Sequence, residues 1–353
     1  MTNWDREYLA HKQEYLDLFD KCMQKDQEQN VEFLEESLKP LTDKKHIVAC
    51  QSGTDALRFA LEALGLGPGD EIMTTNFSWI STASCISMVG ATPVFCDIDP
   101  KTYHLSMHSV RRMYQPEVKA IVYPHLFGYM SDMKELLDFC KEKNIYLIED
   151  SAQSLGASLL GVKAGSIGDI STLSFNANKV IAGIAGGGAI CTDDKEKARM
   201  FKRLRKHGEN KILGYNSKML LMNAEFINFR LKRMTEWQKK RQEIAKRYDE
   251  QLKDIVTLQP TTTSLNHNYH KYVIRVEDKE TRDTLKKRLN ATVHYPTPIS
   301  ENKMYEKLIN RVDECPNTQL VCDTILTLPI HPYLTDEEVD NTCNIIMATI
   351  WKK

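Results

Sequence analysis

The chain has 353 residues, of which 42% are hydrophobic and 27% are charged, and its formal net charge at pH 7 is −1. A chain of this length can bury a large core, and it predicts two domains. The near-neutral charge argues against a protein that binds nucleic acid through bulk electrostatics. No apolar run approaches the length of a membrane span, so we expect neither nucleic acid nor a membrane as a partner.

The start of the chain and its cysteines indicate a cellular compartment. The first seven residues are polar and acidic, unlike a secretory signal peptide. The nine cysteines are scattered and form no C-x-x-C pair, which is typical of proteins from a reducing compartment. We therefore expect a cytoplasmic protein without a metal site.

Strands and helices alternate through the first half of the chain. The first forty-odd residues carry apolar side chains at helical spacing. Strands are then predicted at residues 46–50, 71–75, 92–96, 118–124 and 145–149, with helices at 54–64, 80–89 and 130–143. Because such alternation is typical of parallel sheets, the pattern predicts an α/β fold whose mixed, mostly parallel sheet is covered by helices on both faces.

A long, highly charged stretch marks the second half. Residues 217–252 contain no proline or glycine and predict one continuous helix that bridges two domains. Further strands are predicted at residues 268–276, 291–294 and 325–328. The sequence therefore predicts a large domain over residues 1–240 and a smaller C-terminal α+β domain over residues 241–353.

An acid at a strand end and a lysine in a later loop suggest a particular chemistry. Asp150 directly follows the strand predicted at residues 145–149, and Lys179 precedes a cluster of glycines. A carboxylate can keep the pyridine nitrogen of pyridoxal 5′-phosphate (PLP) protonated, and a lysine amine can form a Schiff base with this cofactor. Lys179 alone would be an ordinary surface lysine, but together with Asp150 it predicts a PLP enzyme.

Other segments support a cofactor site. Ser52 or Thr54 can cap the helix that follows the first strand, and the first N–H groups of that helix can bind a phosphate. Trp79 follows the next strand and can stack on a planar ring. Gln153 lies three residues after Asp150 and can reach an oxygen of the same ring. Each feature alone would also fit a plain helix cap or a core side chain, so the prediction depends on their combination.

The ordered motifs of the chain resemble those of one family. They are Ser52-Gly53-Thr54, Gly67-Pro68-Gly69-Asp70-Glu71, residues 90–95 leading to 97–99, Glu149-Asp150-Ser151-Ala152-Gln153, Ser174-Phe175 with Lys179, Gly214-Tyr215-Asn216, His294-Tyr295-Pro296 and Leu328-Pro329-Ile330-His331-Pro332. From about residue 45 onwards, the chain is similar to the PLP-dependent sugar aminotransferases of the DegT/DnrJ/EryC1/StrS family. The resemblance implies a fold-type-I PLP transferase with a large domain and a small C-terminal domain.

The resemblance also implies roles for the matching residues. Lys179 would form the Schiff base and act as general acid and base, Asp150 would pair with the pyridine nitrogen, and Gln153 would contact the ring hydroxyl. The other implied cofactor contacts are Ser52, Gly53, Thr54, Asp55 and Ser174 at the phosphate, Trp79 on the ring, and Asn216 reaching the cofactor of the partner in a homodimer. His294, Tyr295 and His331 would lie near the sugar or at the mouth of the site.

The implied reaction transfers an amino group from L-glutamate to a ketone on a nucleotide-linked sugar. Trp79 and the order of the motifs favour a nucleotide-diphospho-4-keto-6-deoxyhexose, which would become a 4-amino-4,6-dideoxy sugar of the viosamine or perosamine type. The loop from Lys179 to Gly187 is as long as in members that aminate C3. Amination at C3 of a 3-keto-6-deoxy sugar therefore stays open as the alternative.

Three other functions differ in class. A PLP sugar dehydratase of the same family would carry histidine in place of Lys179, which weighs against it. A non-catalytic scaffold stays open, because Val180 replaces a common asparagine and residues 184–186 lack the acid that many members carry. A dinucleotide-binding oxidoreductase is disfavoured, because residues 183–188 do not match the G-x-G-x-x-G spacing.

Overall fold

The computed structural model describes residues 3–25 and 31–351, and the rest of the predicted N-terminal helical region lies outside these residues. Three helices precede the first strand: α1 Asn3–Ala10, α2 Lys12–Met23 and α3 Glu32–Thr42. Leu34 and Leu38 lie about one turn apart on α3, and both are fully buried in a core cluster that includes Ile47 of the first strand. The helical spacing within α3 therefore reflects packing onto the main sheet, whereas Leu9, Leu16 and Phe19 of α1 and α2 stay exposed.

The strands of the described residues form one large sheet and two small ones. They are β1 His46–Cys50, β2 Glu71–Thr75, β3 Thr92–Cys96, β4 Val118–Pro124, β5 Tyr146–Asp150, β6 Ser158–Leu159, β7 Val162–Lys163, β8 Ile170–Ser174, β9 Gly188–Thr192, β10 Thr257–Leu258, β11 Leu265–Asn266, β12 Tyr272–Arg275, β13 Arg311–Val312 and β14 Ile325–Leu328. The large sheet has the order β1-β9-β8-β5-β4-β2-β3-β13, and the small sheets have the orders β10-β12-β14 and β11-β6-β7.

The large sheet is mixed and mostly parallel, which confirms the predicted fold class. Its strands from β8 to β13 pair in parallel. Only β9 runs against its neighbours, pairing antiparallel with both β8 and β1. This reversal brings the glycine-rich start of β9 beside the ends of β8 and β1, at the edge where the predicted cofactor residues lie.

Helices connect the strands, and those from the first two thirds of the chain cover both faces of the large sheet. The helices after β1 are α4 Gly53–Ala63, α5 Ser81–Met88, α6 Met107–Met113, α7 Lys134–Lys143, α8 Lys195–Leu204, α9 Leu221–Leu231, α10 Met234–Leu252, α11 Lys279–Leu289, α12 Pro316–Thr324 and α13 Asp336–Ile350. Side chains alternate across the central strand β4. Val122 joins the core cluster with α4, whereas Ile121 joins the cluster with α7 on the other face.

The long helix predicted over residues 217–252 is wrong in one respect, because the chain forms two helices, α9 and α10, with a break at Lys232 and Arg233. Tertiary contacts accompany the break. The buried guanidinium of Arg230 donates to Glu7 and to the carbonyl of Ala182, both at 2.6 Å, and Arg233 pairs with Glu14. No proline or glycine lies at this break, so the sequence does not predict it.

The strand predicted at residues 291–294 is also wrong, because this segment makes only an isolated bridge between Thr292 and Thr327. It is flanked by Asn290 and Tyr295, whose φ angles of 48° and 60° lie in the left-handed region. Two such turns leave too short a stretch for a regular ladder. The segment instead forms part of the wall of a cavity.

The C-terminal part of the chain builds its own core. The C-terminal half of α10 packs with β12, β14, α11 and α13 in a cluster that begins at Ile244. However, β13 returns to the edge of the large sheet and pairs with β3. A domain division near residue 240 would fall inside α10, and it stays a prediction. None of the helices within the described residues is long and apolar enough to cross a membrane.

Candidate active site

The predicted cofactor residues converge where the strands of the large sheet end. Asp150 is the last residue of β5, Ser174 is the last residue of β8, and Lys179 follows in the loop after Ser174. Because the carboxyl ends of neighbouring parallel strands share one edge, residues from distant parts of the sequence meet there. The same edge receives the beginning of α4 and the glycines before β9.

Asp150 is a buried carboxylate with its own set of partners. Its Oδ2 accepts a hydrogen bond from the hydroxyl of Thr82 at 2.9 Å, and its Oδ1 accepts one from the backbone N–H of Ala152 at 3.2 Å. Burial raises the pKa of Asp150, whereas the Thr82 hydroxyl and the positive charge of Lys179 act in the opposite direction. These contacts hold the carboxylate in place and favour its ionised form.

Lys179 presents its amine to the same edge. Its backbone N–H donates to the carbonyl of Asn176 at 2.9 Å, which closes a tight turn after β8. Burial lowers the pKa of Lys179 to about 8, and the charge of Asp150 opposes that change. The structure therefore brings the predicted lysine and aspartate into electrostatic contact, with an amine that is partly neutral near neutral pH.

The start of α4 is packed tightly against β8 and β9. A Cβ atom at Gly53 would lie 2.9 Å from the Cβ of Ser174, and one at Gly188 would lie 2.3 Å from the carbonyl oxygen of Ser52. Ser52 caps the helix, because its hydroxyl accepts a hydrogen bond from the N–H of Asp55 at 3.0 Å. The glycines thus let a helix N-terminus and a serine hydroxyl share one small space, which suits a phosphate group.

The side chains of Thr54 and Asp55 form hydrogen bonds with other residues of the chain. The Thr54 hydroxyl lies 3.0 Å from that of Ser81, and the Asp55 carboxylate accepts from Arg58 at 3.0 Å and from Ser217 at 2.7 Å. The N–H of Asp55 also bonds to the Ser52 cap. Any contribution of Thr54 and Asp55 to phosphate binding would therefore come from the backbone of the first turn.

Gln153 and Tyr295 meet directly, although they are far apart in the sequence. The amide nitrogen of Gln153 donates to the Tyr295 hydroxyl at 2.8 Å, and its amide oxygen accepts from the N–H of Phe127 at 2.9 Å. The ring of Tyr295 stacks on that of Phe127, with centroids 5.9 Å apart. This network links the Asp150 loop to the C-terminal part of the chain.

A cavity of about 430 Å³ lies next to Lys179 and Tyr295. Lys179, Trp79, His294 and Tyr295 line it, and the Trp79 side chain is 62% exposed. His294 Nδ1 lies 2.7 Å from the Thr327 hydroxyl, and burial lowers the pKa of His294 to about 4, so the ring is neutral near pH 7. The walls come from both halves of the chain, as expected of a site that closes around a small molecule.

Trp79, Lys179, His294 and Tyr295 are the predicted residues that line this cavity within the described part of the chain, whereas His331 and Asn216 are linked neither to it nor to the Asp150 loop. His331 is not among the described residues that line the cavity, and its Nδ1 accepts from the N–H of Tyr333 at 3.3 Å. Asn216 is exposed beside the α4 end of the site and makes no hydrogen bond through its side chain within the described residues. The roles predicted for His331 and Asn216 stay predictions.

Several residues of the site are not predicted by the sequence. Thr82 lies within α5 and binds Asp150, and Asn223 of α9 binds the carbonyl of Gly186 at 2.8 Å. Lys271 lines the cavity together with Lys179. None of these residues belongs to a recognisable local motif, and only the tertiary fold brings them to the site.

The arrangement fits PLP by the chemistry of its donors. A buried lysine amine and a carboxylate are coupled across one strand edge, and a helix N-terminus with two serines forms a close-packed cradle that added Cβ atoms would fill. These are the groups that a pyridine nitrogen, an aldehyde and a phosphate require. The described residues contain no group of three or more side chains suited to a metal ion.

Comparison with known proteins also points to an enzyme that uses PLP. A model of the DegT/DnrJ/EryC1/StrS aminotransferase family matches residues 10–347. The chain belongs to the DegT/DnrJ/EryC1/StrS aminotransferase family. The match includes both halves of the cavity wall, and it begins in α1, well before the first predicted motif.

Individual members of the family are similar over most of their length. A UDP-N-acetyl-3-dehydro-α-D-glucosamine 3-aminotransferase of Acidithiobacillus ferrooxidans is 32% identical over 90% of this chain and 88% of its own. A dTDP-4-dehydro-2,3,6-trideoxy-D-glucose 4-aminotransferase of Saccharopolyspora spinosa is 32% identical over 84% and 82%. The structure of NtdA from Bacillus subtilis with bound cofactor PMP has a TM-score of 0.87 and 28% identity, over 97% of this chain and 82% of NtdA.

The hydrogen bond from Thr82 to Asp150 generates a stability prediction for the cofactor-free protein. Burial raises the folded-state pKa of Asp150, so its ionisation opposes folding as the pH rises through that pKa, and the Thr82 hydroxyl offsets part of this cost. We expect Thr82→Val to lower the free energy of unfolding by about 1.5–3 kcal/mol at neutral pH and by less in acid, where the carboxyl is protonated.

Thr74→Val is the matched control, because Thr74 is also a buried threonine and donates to the neutral carbonyl of Val122 at 2.9 Å. Its stability loss should not change with pH. Denaturant unfolding of both variants, from neutral pH into acid, measures the difference. An equal dependence on pH in the two variants would contradict the role of Thr82 at Asp150.

Proposed function

We propose that the protein uses PLP to transfer an amino group from L-glutamate to a ketone on a nucleotide-linked sugar. The observation that carries this proposal is the coupling of the buried Lys179 amine to Asp150 in a chain of an aminotransferase family. The relatives named above act on nucleotide sugars, and NtdA was solved with PMP, which supports the cofactor and the substrate class. When bound, PLP supplies an electron sink that makes the donor's Cα proton acidic.

In this proposal, each end of the site holds a different part of the cofactor. Ser52, Gly53, Ser174 and the first turn of α4 bind the phosphate, and Asp150 faces the pyridine nitrogen. Gln153 has one amide N–H left after its bond to Tyr295, and this N–H binds the ring hydroxyl. Trp79 would stack on the ring.

Lys179 moves the proton. A pKa of about 8 leaves part of the amine population neutral near pH 7, so the amine can accept a proton and return it. Burial produces this pKa, and Asp150 prevents it from falling further. The same amine serves both halves of the reaction, first with the donor and then with the sugar.

The position of amination is the finer part of the proposal. Trp79 lines the same cavity as Lys179, and we take it as the stronger indicator, which favours C4 of a 4-keto-6-deoxy sugar. The length of the loop after Lys179 favours C3 instead. The two relatives named above are a 3-aminotransferase and a 4-aminotransferase, so similarity alone supports both positions.

Product analysis tests the function and the position together. The PLP-loaded protein is incubated with L-glutamate and, separately, with 4-keto-6-deoxy and 3-keto-6-deoxy sugars carried on UDP and on dTDP. We expect NMR to place a new amine on C4 and to detect 2-oxoglutarate in equal amount.

An amine on C3 would overturn the preferred position and leave the aminotransferase function in place. Loss of a hydroxyl without release of 2-oxoglutarate would instead indicate a dehydratase. No turnover with any of the four sugars, despite bound cofactor, would favour a non-catalytic scaffold.

The surroundings of Asn216 support a homodimer with shared sites. Its neighbours are used within the same chain, since Tyr215 donates to Glu62 and Ser217 donates to Asp55, both at 2.7 Å. Asn216 itself is exposed, and the nearby apolar side chains of Ile212 and Leu213 are 37% and 93% exposed, so that a second copy could cover them. We propose that this segment contacts a second copy and that Asn216 reaches the phosphate of the partner's cofactor.

Mixed dimers test this arrangement. Asn216→Ala should weaken cofactor binding by about 1–2 kcal/mol, the scale of one hydrogen bond to a charged group, while Asn344→Ala, at an exposed position on α13, should leave it unchanged. A hybrid of one Asn216→Ala chain and one Lys179→Ala chain contains one intact site if Asn216 acts on the partner's cofactor.

Borohydride-reducible cofactor in that hybrid should therefore be retained with wild-type affinity at half the wild-type amount. If Asn216 acts within its own chain, the hybrid contains no intact site, and the retained cofactor shows the weakened affinity. The proposal would also be contradicted if light scattering showed a monomer and that monomer were fully active.

A further inference from the structure

The cavity contains a second lysine to which the proposed reaction assigns no task. Lys271 directly precedes β12, on the opposite half of the chain from Lys179, and both lysines line the same cavity. The backbone N–H of Lys271 donates to the carbonyl of Phe127 at 3.2 Å. This bond fixes the position of the Lys271 backbone at the cavity wall.

The charges around Lys271 are unbalanced. None of the described residues that line the cavity carries a carboxylate. Asp249 is the acid close in the fold, but its carboxylate accepts a hydrogen bond from the Tyr272 hydroxyl at 2.6 Å, and no ion pair joins it to Lys271. Burial, Arg241 and Lys179 together lower the pKa of Lys271 to about 8, so the amine is still mostly protonated near pH 7.

The other titratable groups of the cavity do not supply a competing charge. Burial lowers the pKa values of His270 and His294, so both rings are neutral near pH 7. Arg241 uses its guanidinium on the carbonyls of Tyr269 and Ile330, both at 3.0 Å. Among the described residues that line the cavity, Lys271 is thus the cation besides Lys179 that can meet an incoming molecule.

A half-buried cation without a counter-ion is costly, and an anion that enters with the substrate removes this cost. We propose that Lys271 binds a carboxylate group of a substrate in this cavity. The inference rests on the proposed aminotransferase function and adds a recognition site to it. Two substrates could supply this group: the amino donor, through the distal carboxylate of glutamate, or the sugar, through the carboxylate of a uronic acid.

Equilibrium binding to the PLP-loaded protein tests the proposal without requiring turnover. The donor arm compares glutarate with butyrate, which lacks the second carboxylate, and the sugar arm compares UDP-glucuronate with UDP-glucose. The variants are Lys271→Met, which keeps the length of the side chain without its charge, and Lys271→Arg, which keeps the charge. Lys287→Met, at an exposed position on α11, is the matched control.

We expect Lys271→Met to weaken binding of glutarate or of UDP-glucuronate roughly 10- to 100-fold, the loss of one hydrogen bond between charged groups. Binding of the matching probe without the carboxylate should change little, and Lys271→Arg should restore most of the loss. The arm that responds identifies the source of the carboxylate. Cofactor content and thermal unfolding establish that each variant is folded and loaded.

Two results would overturn the proposal. Unchanged binding of both carboxylate probes in Lys271→Met would show that the amine binds neither. An equal loss for UDP-glucuronate and UDP-glucose would assign Lys271 to the diphosphate instead. A wild-type protein that binds the probes but transfers no amino group would contradict the proposed function and leave the result for Lys271 standing.

Discussion

The coupling between the Lys179 amine and the Asp150 carboxylate is the constraint on which the site depends. Each group is buried, and burial alone would drive both towards their neutral forms. Each also counteracts the pKa shift of the other. The result is a carboxylate whose raised pKa is partly offset by the charge of Lys179, beside an amine whose pKa is lowered to about 8, and an amine with that pKa can transfer protons near neutral pH.

The rest of the fold places these two groups and closes the space around them. The parallel strands β5 and β8 end side by side, and the reversed strand β9 brings its glycines against the beginning of α4. A Cβ atom at Gly53 would clash with Ser174, and one at Gly188 would clash with the backbone of Ser52 and Gly53. The C-terminal part of the chain then supplies the facing wall, which Lys271, His294 and Tyr295 line.

Much of this could be predicted from the sequence, because local patterns determine where strands lie and how they end. The predicted strands at residues 46–50, 71–75, 92–96, 118–124 and 325–328 have the observed bounds, and the acid and the lysine follow from their positions at strand ends. The break between α9 and α10 was missed because tertiary contacts of Arg230 and Arg233 accompany it. Thr82 and Lys271 were missed for a similar reason: their importance comes from a buried partner or from the lack of one, and neither is visible in a single sequence.

The central claim is that Lys179 carries the cofactor, and chemical trapping tests it most directly. The protein is loaded with PLP, reduced with sodium borohydride and digested, and mass spectrometry locates the modified lysine. We predict that the adduct lies on Lys179 and that Lys179→Ala abolishes the adduct while the protein still binds PLP. An adduct on Lys271, which lines the same cavity, or no adduct on the PLP-loaded protein, would contradict the account.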